Sequence, residues 1–260
     1  METAVIVEDD SGIRTITLNR PERMNALDGP TLTALVDALK EAAESEDGPK
    51  VIVIRGTGRA FCAGNDLKWL ASGVLADRAA HMRHQDRMEQ AFELISTMGP
   101  VVIASVNGFA LAGGMELALS CDIIVADEDA QMGDEHIRRN LLPSGGGSQR
   151  LPRKIGQARG LYYLLTGRRM TGREAATMGL ASLAVPASEL EAETMALARE
   201  IARADRHALA GMKTMVRRGL ELPLKEGLWL ERWMQHRYRN ESGALDAGVA
   251  RFAAGHKSET

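Results

Sequence analysis

Short runs rich in apolar and β-branched residues alternate along the first half of the chain with longer stretches in which apolar residues recur every three or four positions. The short runs favour strands, and the longer stretches favour helices with one buried face. The predicted strands comprise residues 4–8, 13–18, 51–54, 101–105 and 123–125, and the predicted helices comprise residues 31–44, 78–95 and a short segment from Gly114. The strand at 51–54 is apolar throughout, which is typical of a parallel sheet buried on both faces. The alternation therefore predicts an α/β fold.

The last third of the chain is dominated by helical spacing. Beyond residue 150 the pattern predicts one strand, at residues 182–185, and its predicted helices comprise residues 188–202, 207–220, 224–239 and 244–252. Large apolar residues, Trp229 and Trp233 among them, lie in these helices. They favour packing either on another subunit or within the chain, and the pattern leaves both open.

Composition narrows the class of protein. Of 260 residues, 45% are hydrophobic and 26% charged, with a net charge of -3, which indicates a globular chain without a strongly basic surface for nucleic acid. No window approaches the roughly 18 apolar residues of a membrane span. Cys62 and Cys121 are too few for a disulfide framework. With no signal-peptide pattern in residues 1–8, we expect a cytoplasmic protein that binds neither nucleic acid nor membrane.

Three glycine-rich segments, at residues 59–67, 107–118 and 142–151, could each bring backbone close to a ligand or form a tight turn. Phe61 stands where a dinucleotide-binding fingerprint starting at Gly56 needs glycine or alanine, and neither a Walker-type phosphate loop nor a Gly-x-Ser-x-Gly elbow is present in the sequence. His81 and His84 lie one helical turn apart, but without a nearby partner for a metal ion we expect them on a solvated helix face.

The segment 107–118 carries the clearest chemistry. It follows a predicted strand, and Gly113-Gly114 opens a predicted helix with Glu116 one turn inside. Free backbone N–H groups at a helix start can polarise a carbonyl oxygen and stabilise an enolate. A carboxylate beside them could move a proton at the carbon next to a thioester. Glu116 could equally serve only to complement the helix dipole.

Taken together, the motifs resemble the crotonase superfamily, the enoyl-CoA hydratase/isomerase family, over almost the whole chain. The motifs in question are Leu18-Asn19-Arg20-Pro21, Asn25-Ala26-Leu27, Phe61-Cys62-Ala63-Gly64-Asn65-Asp66-Leu67, Gly113-Gly114-Met115-Glu116-Leu117-Ala118, Cys121-Asp122, the stretch 143–151, Leu165-Thr166-Gly167, Ala175-Ala176 and Gly179-Leu180. The resemblance implies a spiral of ββα turns over residues 1–195, which binds acyl-CoA, and a helical region over residues 196–260 that assembles a homotrimer or a dimer of trimers.

The resemblance also implies a coenzyme A thioester as substrate, with no separate cofactor and no metal. The N–H groups of Ala63 and Gly113 would then form the oxyanion hole. Residues expected to border the coenzyme are Arg23, Met24, Ala60, Ala63, Asn65, Asp66, Leu67 and Gly113, with Arg23 or Lys257 near its phosphates.

One position departs from the pattern of the family's hydratases, which use two glutamates. Glu116 matches the first, but the frame from Ala130 to Pro143 has no gap and puts His136 in the place of the second. His136 could be a replacement acid, because imidazole transfers protons near neutral pH. It could instead bind a polar group of the acyl chain while Glu116 acts alone, or it could be inert, with Asp134 or Glu135 taking its place.

The favoured prediction is a lyase that hydrates a 2-enoyl-CoA, with Glu116 as the base for water and His136 as the acid for the α-carbon. A double-bond isomerase or another single-base enolate enzyme such as a decarboxylase is the catalytic alternative. A non-catalytic acyl-CoA-binding subunit is the alternative from another class.

Overall fold

The computed structural model describes residues 3–254 of the chain. The strands are β1 Val5–Asp10, β2 Ile13–Leu18, β3 Val51–Gly56, β4 Ala60–Cys62, β5 Val101–Val106, β6 Phe109–Leu111, β7 Ile123–Asp127, β8 Gln131–Gly133, β9 Met170–Thr171 and β10 Leu183–Val185. They form a six-stranded sheet in the order β1-β2-β3-β5-β7-β10 and a four-stranded sheet in the order β4-β6-β8-β9. β1 in the first sheet and β9 in the second run antiparallel to their neighbours, and the other pairs are parallel.

The helices cover both faces of the large sheet and form the end of the chain. They are α1 Gly29–Glu44, the single turn α2 Leu67–Trp69, α3 Arg78–Thr97, α4 Gly113–Ser120, α5 Gly147–Ile155, α6 Gln157–Thr166, α7 Gly172–Thr177, α8 Leu190–Ala202, α9 Arg206–Gly219, α10 Leu224–Glu241 and α11 Ala244–Ala253. Two 3-10 turns lie at Pro21–Arg23 and His136–Arg139. None of the helices within residues 3–254 is both long and apolar enough to cross a membrane.

The large sheet has a hydrophobic core on each face because side chains along a strand alternate in direction. In β3, Ile52 and Ile54 join the larger core with α1 and α3, whereas Val51 and Val53 join a smaller core under α8. All four side chains are buried. The all-apolar pattern that predicted a parallel sheet thus reflects burial on both sides.

The small sheet positions the candidate site. β4, β6 and β8 are neighbouring parallel strands, so their carboxyl ends meet at one edge. The chain continues from these ends into Ala63–Asn65, Ala112–Gly113 and Asp134–His136 respectively. Loops that follow neighbouring parallel strands commonly build ligand sites in α/β proteins.

The helical end of the chain is attached to the core through charged side chains. Asp122, at the start of β7, pairs with Lys213 at 2.9 Å and with Arg217 at 2.8 Å, both on α9. Lys213 also donates to the carbonyl oxygens of Ile95 and Pro100. These contacts hold α9 against the C-terminal end of α3 and the N-terminal ends of β5 and β7.

The predicted strands and helices agree in type with observed ones, but the three-residue strands β4, β6 and β8 were not predicted. The expectation of a single strand beyond residue 150 is wrong, because β9 pairs with β8 through two residues, too few for a recognisable pattern. Helices α5, α6 and α7 were also not predicted. The expected boundary between residues 195 and 196 falls inside α8, which packs as one helix on the large sheet.

Candidate active site

A cleft of about 390 Å³ opens at the edge where β4, β6 and β8 end. Its lining mixes apolar side chains with five charged or titratable ones and comprises Met24, Arg59, Ala63, Asn65, Leu67, Phe109, Leu111, Ala112, Glu135, His136, Arg139, Leu141 and Arg169. A partly apolar cleft with a few converging polar groups is the usual form of a small-molecule site.

Glu116 lies behind the wall of this cleft and is completely buried. Its Oε1 accepts hydrogen bonds from the N–H groups of Gly145, at 2.8 Å, and Gly147, at 2.9 Å. Its Oε2 has no hydrogen-bond partner among the described residues. The carboxylate is therefore held by one oxygen and has the other free to receive a proton.

The two glycines allow this close approach. A Cβ on Gly145 would lie 2.5 Å from Phe92 and 2.8 Å from Oε2 of Glu116, and a Cβ on Gly147 would collide with Asp134. The glycine-rich segment, predicted as either a ligand loop or a turn, thus binds the carboxylate of Glu116.

His136 lines the cleft next to Glu116. Its Nε2 lies 4.0 Å from Oε2 of Glu116, and its Nδ1 lies 2.7 Å from Oδ1 of Asp134. Both acids are buried, and His136 is only 9% exposed. The predicted pairing of Glu116 with His136 is present in the structure, and Asp134 joins it as a third titratable group.

The surroundings raise the pKa of both predicted acid–base groups. Burial raises the pKa of Glu116, and the opposing effect of the glycine N–H groups and of His136 does not cancel it. For His136, burial acts to lower the pKa, but the hydrogen bond and charge of Asp134, with the charge of Glu116, outweigh it and the pKa is raised. The raised pKa of His136 shifts its ring toward the imidazolium, the form that donates a proton, and the raised pKa of Glu116 shifts that carboxyl group toward its protonated form.

Two backbone N–H groups next to the cleft have no acceptor within residues 3–254 and could bind an oxyanion. Neither the N–H of Gly113 nor that of Asn65 has an acceptor within residues 3–254. They are close neighbours, because a Cβ on Gly113 would lie 3.5 Å from the nitrogen of Asn65. The preceding residue, Ala112, has φ of 48° and ψ of -118°, a strained conformation of the kind that concentrates at functional sites.

The N–H of Ala63, expected as one of the two donors, is already engaged. It donates to the carbonyl oxygen of Met24 at 3.0 Å. The geometry therefore favours Asn65, two residues further on, as the partner of Gly113.

Asn65 is also held by its side chain. Its Oδ1 lies 2.9 Å from Nε2 of His84, which is buried beside Trp69 with ring centroids 4.8 Å apart. Burial lowers the pKa of His84, and the charge of nearby His81 lowers it further, which favours the neutral ring. The expectation of a solvated face is thus wrong for His84, since the predicted helix turns it toward the cleft loop.

Guanidinium groups flank the outer part of the cleft. Arg59 and Arg169 lie over the ring of Phe109, at 6.0 and 5.3 Å from its centroid. Glu135 is paired with Arg169 at 2.7 Å and lies 3.9 Å from Arg139. Three arginines against one acid make this wall positive. Sequence reasoning missed these arginines because strand order alone brings them together.

The structure places only some of the expected coenzyme-binding residues at the cleft. Met24, Ala63, Asn65 and Leu67 line the cleft, with Gly113 directly behind Ala112. Three others lie outside its lining: Arg23 is exposed, Ala60 is buried in its strand, and Asp66 is bound to Arg20 at 3.0 Å. Lys257 lies outside the described residues. In the described part of the chain, no three His, Cys, Asp or Glu side chains are grouped as a metal site would require.

Comparison with known proteins gives consistent matches over nearly the full length. The sequence model of the enoyl-CoA hydratase/isomerase family matches residues 8–258. A probable enoyl-CoA hydratase of Mycobacterium tuberculosis is 39% identical over 89% of this chain and 88% of its own. A 2,3-dehydroadipyl-CoA hydratase of Escherichia coli is 36% identical over 88% of this chain and 87% of its own.

Solved structures agree with the sequence matches. The crystal structure of an enoyl-CoA hydratase from Bacillus anthracis has a TM-score of 0.91 at 31% identity, covering 97% of this chain and 96% of that one. An enoyl-CoA hydratase from Mycobacterium smegmatis has a TM-score of 0.91 at 30% identity, covering 99% of both chains.

Proposed function

Because the chain belongs to the enoyl-CoA hydratase/isomerase family and has its crotonase fold, we propose that it adds water reversibly across the double bond of a 2-enoyl-CoA thioester. One observation carries the proposal. The free oxygen of Glu116 lies 4.0 Å from Nε2 of His136, whose side chain lines the cleft. A base and an acid at this separation can act on the two carbons of one double bond.

The thioester oxygen would be bound by the N–H groups of Asn65 and Gly113. Both are free of other acceptors within residues 3–254 and adjoin the cleft. As negative charge develops on that oxygen, these two hydrogen bonds strengthen. The enolate is thereby stabilised more than the ground-state thioester, which is the condition for catalysis.

Water would be activated by Oε2 of Glu116. The carboxylate removes one proton while the water oxygen bonds to the β-carbon, and the double-bond electrons move to the thioester oxygen as an enolate. Nε2 of His136 then gives its proton to the α-carbon as the enolate reverts to the thioester. One water has been added, and Glu116 returns its proton to the neutral imidazole through the next water that enters.

The positive wall suits the phosphates of coenzyme A. Arg59 and Arg169 are exposed at the cleft. A guanidinium group can donate two parallel hydrogen bonds to two oxygens of one phosphate. The apolar residues of the lining, including Met24 and Leu67, would contact the pantetheine chain. Coenzyme A is then part of the substrate, and the proposed mechanism needs no further cofactor.

We also propose that the chain assembles into a homotrimer or a dimer of trimers. Apolar residues of α9 and α10 are solvent-exposed in the isolated chain, namely Met212, Val216, Leu220, Leu224, Leu228, Trp229 and Trp233. Monomers rarely expose so many large apolar side chains on two neighbouring helices.

The two cysteines are buried and unpaired, which is consistent with a reducing, cytoplasmic location.

Crotonyl-CoA provides the test. The purified chain should lower the absorbance of the enoyl thioester toward its equilibrium value, and Glu116→Gln should retain binding but lose at least about 100-fold in kcat, the usual contribution of a general base. Glu93→Gln, a change at an exposed glutamate on α3, serves as the control and should match the parent. Hydration by Glu116→Gln within a few-fold of the parent would overturn the mechanism. Conversion of a 3-enoyl-CoA without any hydration would replace it with single-base isomerisation.

A further inference from the structure

Asp134 makes an unusual set of contacts for a buried acid. Its Oδ1 lies 2.7 Å from Nδ1 of His136 and 3.3 Å from the backbone nitrogen of the same residue. Its Oδ2 has no hydrogen-bond partner among the described residues, and the whole residue is 2% exposed. Within residues 3–254, every hydrogen bond of this side chain therefore goes to His136.

We propose that Asp134 is a positioning residue for His136: it accepts a hydrogen bond from Nδ1–H, fixes the ring and stabilises the imidazolium, whose Nε2–H faces Glu116. The inference rests on the proposed role of His136 as proton donor. A neutral imidazole carries one proton, and a carboxylate at Nδ1 decides which nitrogen holds it. The same carboxylate stabilises the imidazolium, which holds both protons.

The charges around His136 support this assignment to Asp134. Glu116 faces the ring from α4 at 4.0 Å, and Arg139, on the same 3-10 turn, opposes protonation. Hydrogen bonding and charge from Asp134 raise the pKa of His136 against the effect of burial. Removal of this carboxylate should therefore lower that pKa.

The adjacent Glu135 provides a matched control. It is 4% exposed, as deeply buried as Asp134, but its carboxylate is committed to Arg169 at 2.7 Å and Arg138 at 3.5 Å. Glu135→Gln removes one negative charge from the same loop without touching the imidazole. A general effect of charge loss or loop damage would appear in both variants, whereas a positioning effect would appear only at Asp134.

The experiment compares Asp134→Asn with Glu135→Gln and the parent. The imidazole resonances are followed by NMR against pH in the free enzyme, with His136 assigned by their loss in His136→Ala. We expect His136 of the parent to titrate above about 6.5, the ordinary value for histidine. In Asp134→Asn its pKa should fall by about one unit, while Glu135→Gln should leave it near the parent value.

Kinetics with crotonyl-CoA give the second readout. In Asp134→Asn, kcat should fall at least about tenfold with KM near the parent value, because binding is retained and acid catalysis is impaired. The alkaline limb of the pH profile should move to lower pH with the imidazole pKa.

The two readouts separate this inference from the proposed function. An unchanged pKa of His136 in Asp134→Asn would overturn the positioning role, whatever the activity. A parent pKa below about 6.5 would overturn it as well, without any variant. A lowered pKa in a chain that hydrates no enoyl-CoA would support the pairing and reject the hydratase.

Discussion

His136 lies between two buried carboxylates, and this environment determines when its ring is charged. Asp134 and Glu116 favour the imidazolium, whereas burial and Arg139 oppose it, and the pKa is raised overall. The pKa of Glu116 is also raised, chiefly by burial. In the proposed mechanism the active form has His136 protonated and Glu116 ionised, so we expect each group to set one limb of the pH profile.

The profile of kcat/KM against pH should therefore be bell-shaped. Activity should fall at high pH as the imidazolium is lost and at low pH as Glu116 gains a proton, and the raised pKa values should place the optimum higher than two unperturbed groups would. His136→Ala should lose at least about 100-fold in kcat and its alkaline limb. His136→Glu should retain hydration of crotonyl-CoA, because it restores a two-carboxylate site.

Steady-state rates over the pH range decide this prediction, with His236→Ala, an exposed histidine of α10, as the control. Parent-like activity and an unchanged alkaline limb in His136→Ala would contradict the proton-donor role. Glu116 would then act as the single base of an isomerase or decarboxylase.

For individual residues, the sequence could predict which side chains meet but not which backbone N–H groups lack a hydrogen-bond acceptor. Glu116 and His136 are placed by motif and register, and the structure brings them together at 4.0 Å. The direction of an N–H depends on local dihedral angles. The carbonyl of Met24 takes the N–H of Ala63, and Asn65 is left as the donor. Asp134 was recognised only as a possible substitute acid, because a contact two residues along a loop has no periodic signal.

Among the elements, long strands and helices follow from periodicity, and the short ones do not. α1 and α3 each bury one helical face, so their patterns are legible. β9 has only two residues, too few to show a strand pattern. α5 follows a glycine-rich loop and contains Pro152, and both features argue against a helix in the sequence. The meeting of β4, β6 and β8 at one edge depends on strand order, which no local pattern encodes.

Asp122 should contribute strongly to stability because it connects α9 to the core. Its carboxylate is paired with Lys213, whose side chain is 6% exposed, and with Arg217. Asp122→Asn leaves these cations near one another without their acid, and removal of one partner from a buried pair costs about 3 kcal/mol. Urea unfolding should show a loss of this order in the free energy of unfolding.

An exposed pair supplies the comparison for that measurement. Glu191 is 77% exposed where it pairs with Arg55, so Glu191→Gln should change the free energy of unfolding by less than about 1 kcal/mol. Equal effects of the two substitutions would contradict the anchoring role of Asp122.

For the whole molecule, the exposed apolar side chains of α9 and α10 determine the expected state in solution. Trp229 is 69% and Leu228 57% exposed in the isolated chain, and burial of such side chains stabilises an assembly. Sedimentation at micromolar concentration should give three or six times 28.1 kDa. Trp229→Glu should shift the distribution toward smaller species, whereas Lys225→Glu, at an exposed lysine of the same helix, should not. A parent that sediments as a monomer would contradict the proposed assembly.

The way Glu116 is held bears on how this fold can acquire new reactions. Gly145 and Gly147 cannot take a Cβ without displacing a buried carboxylate, so the support of the base tolerates little variation. The imidazole of His136, in contrast, projects from a 3-10 turn and contacts Glu116 and Asp134 through side-chain atoms. In the proposed mechanism, a different acid at position 136 would leave Glu116 and the two N–H groups in place. Evolution, or a protein engineer, could alter the reaction at that single position and leave the architecture intact.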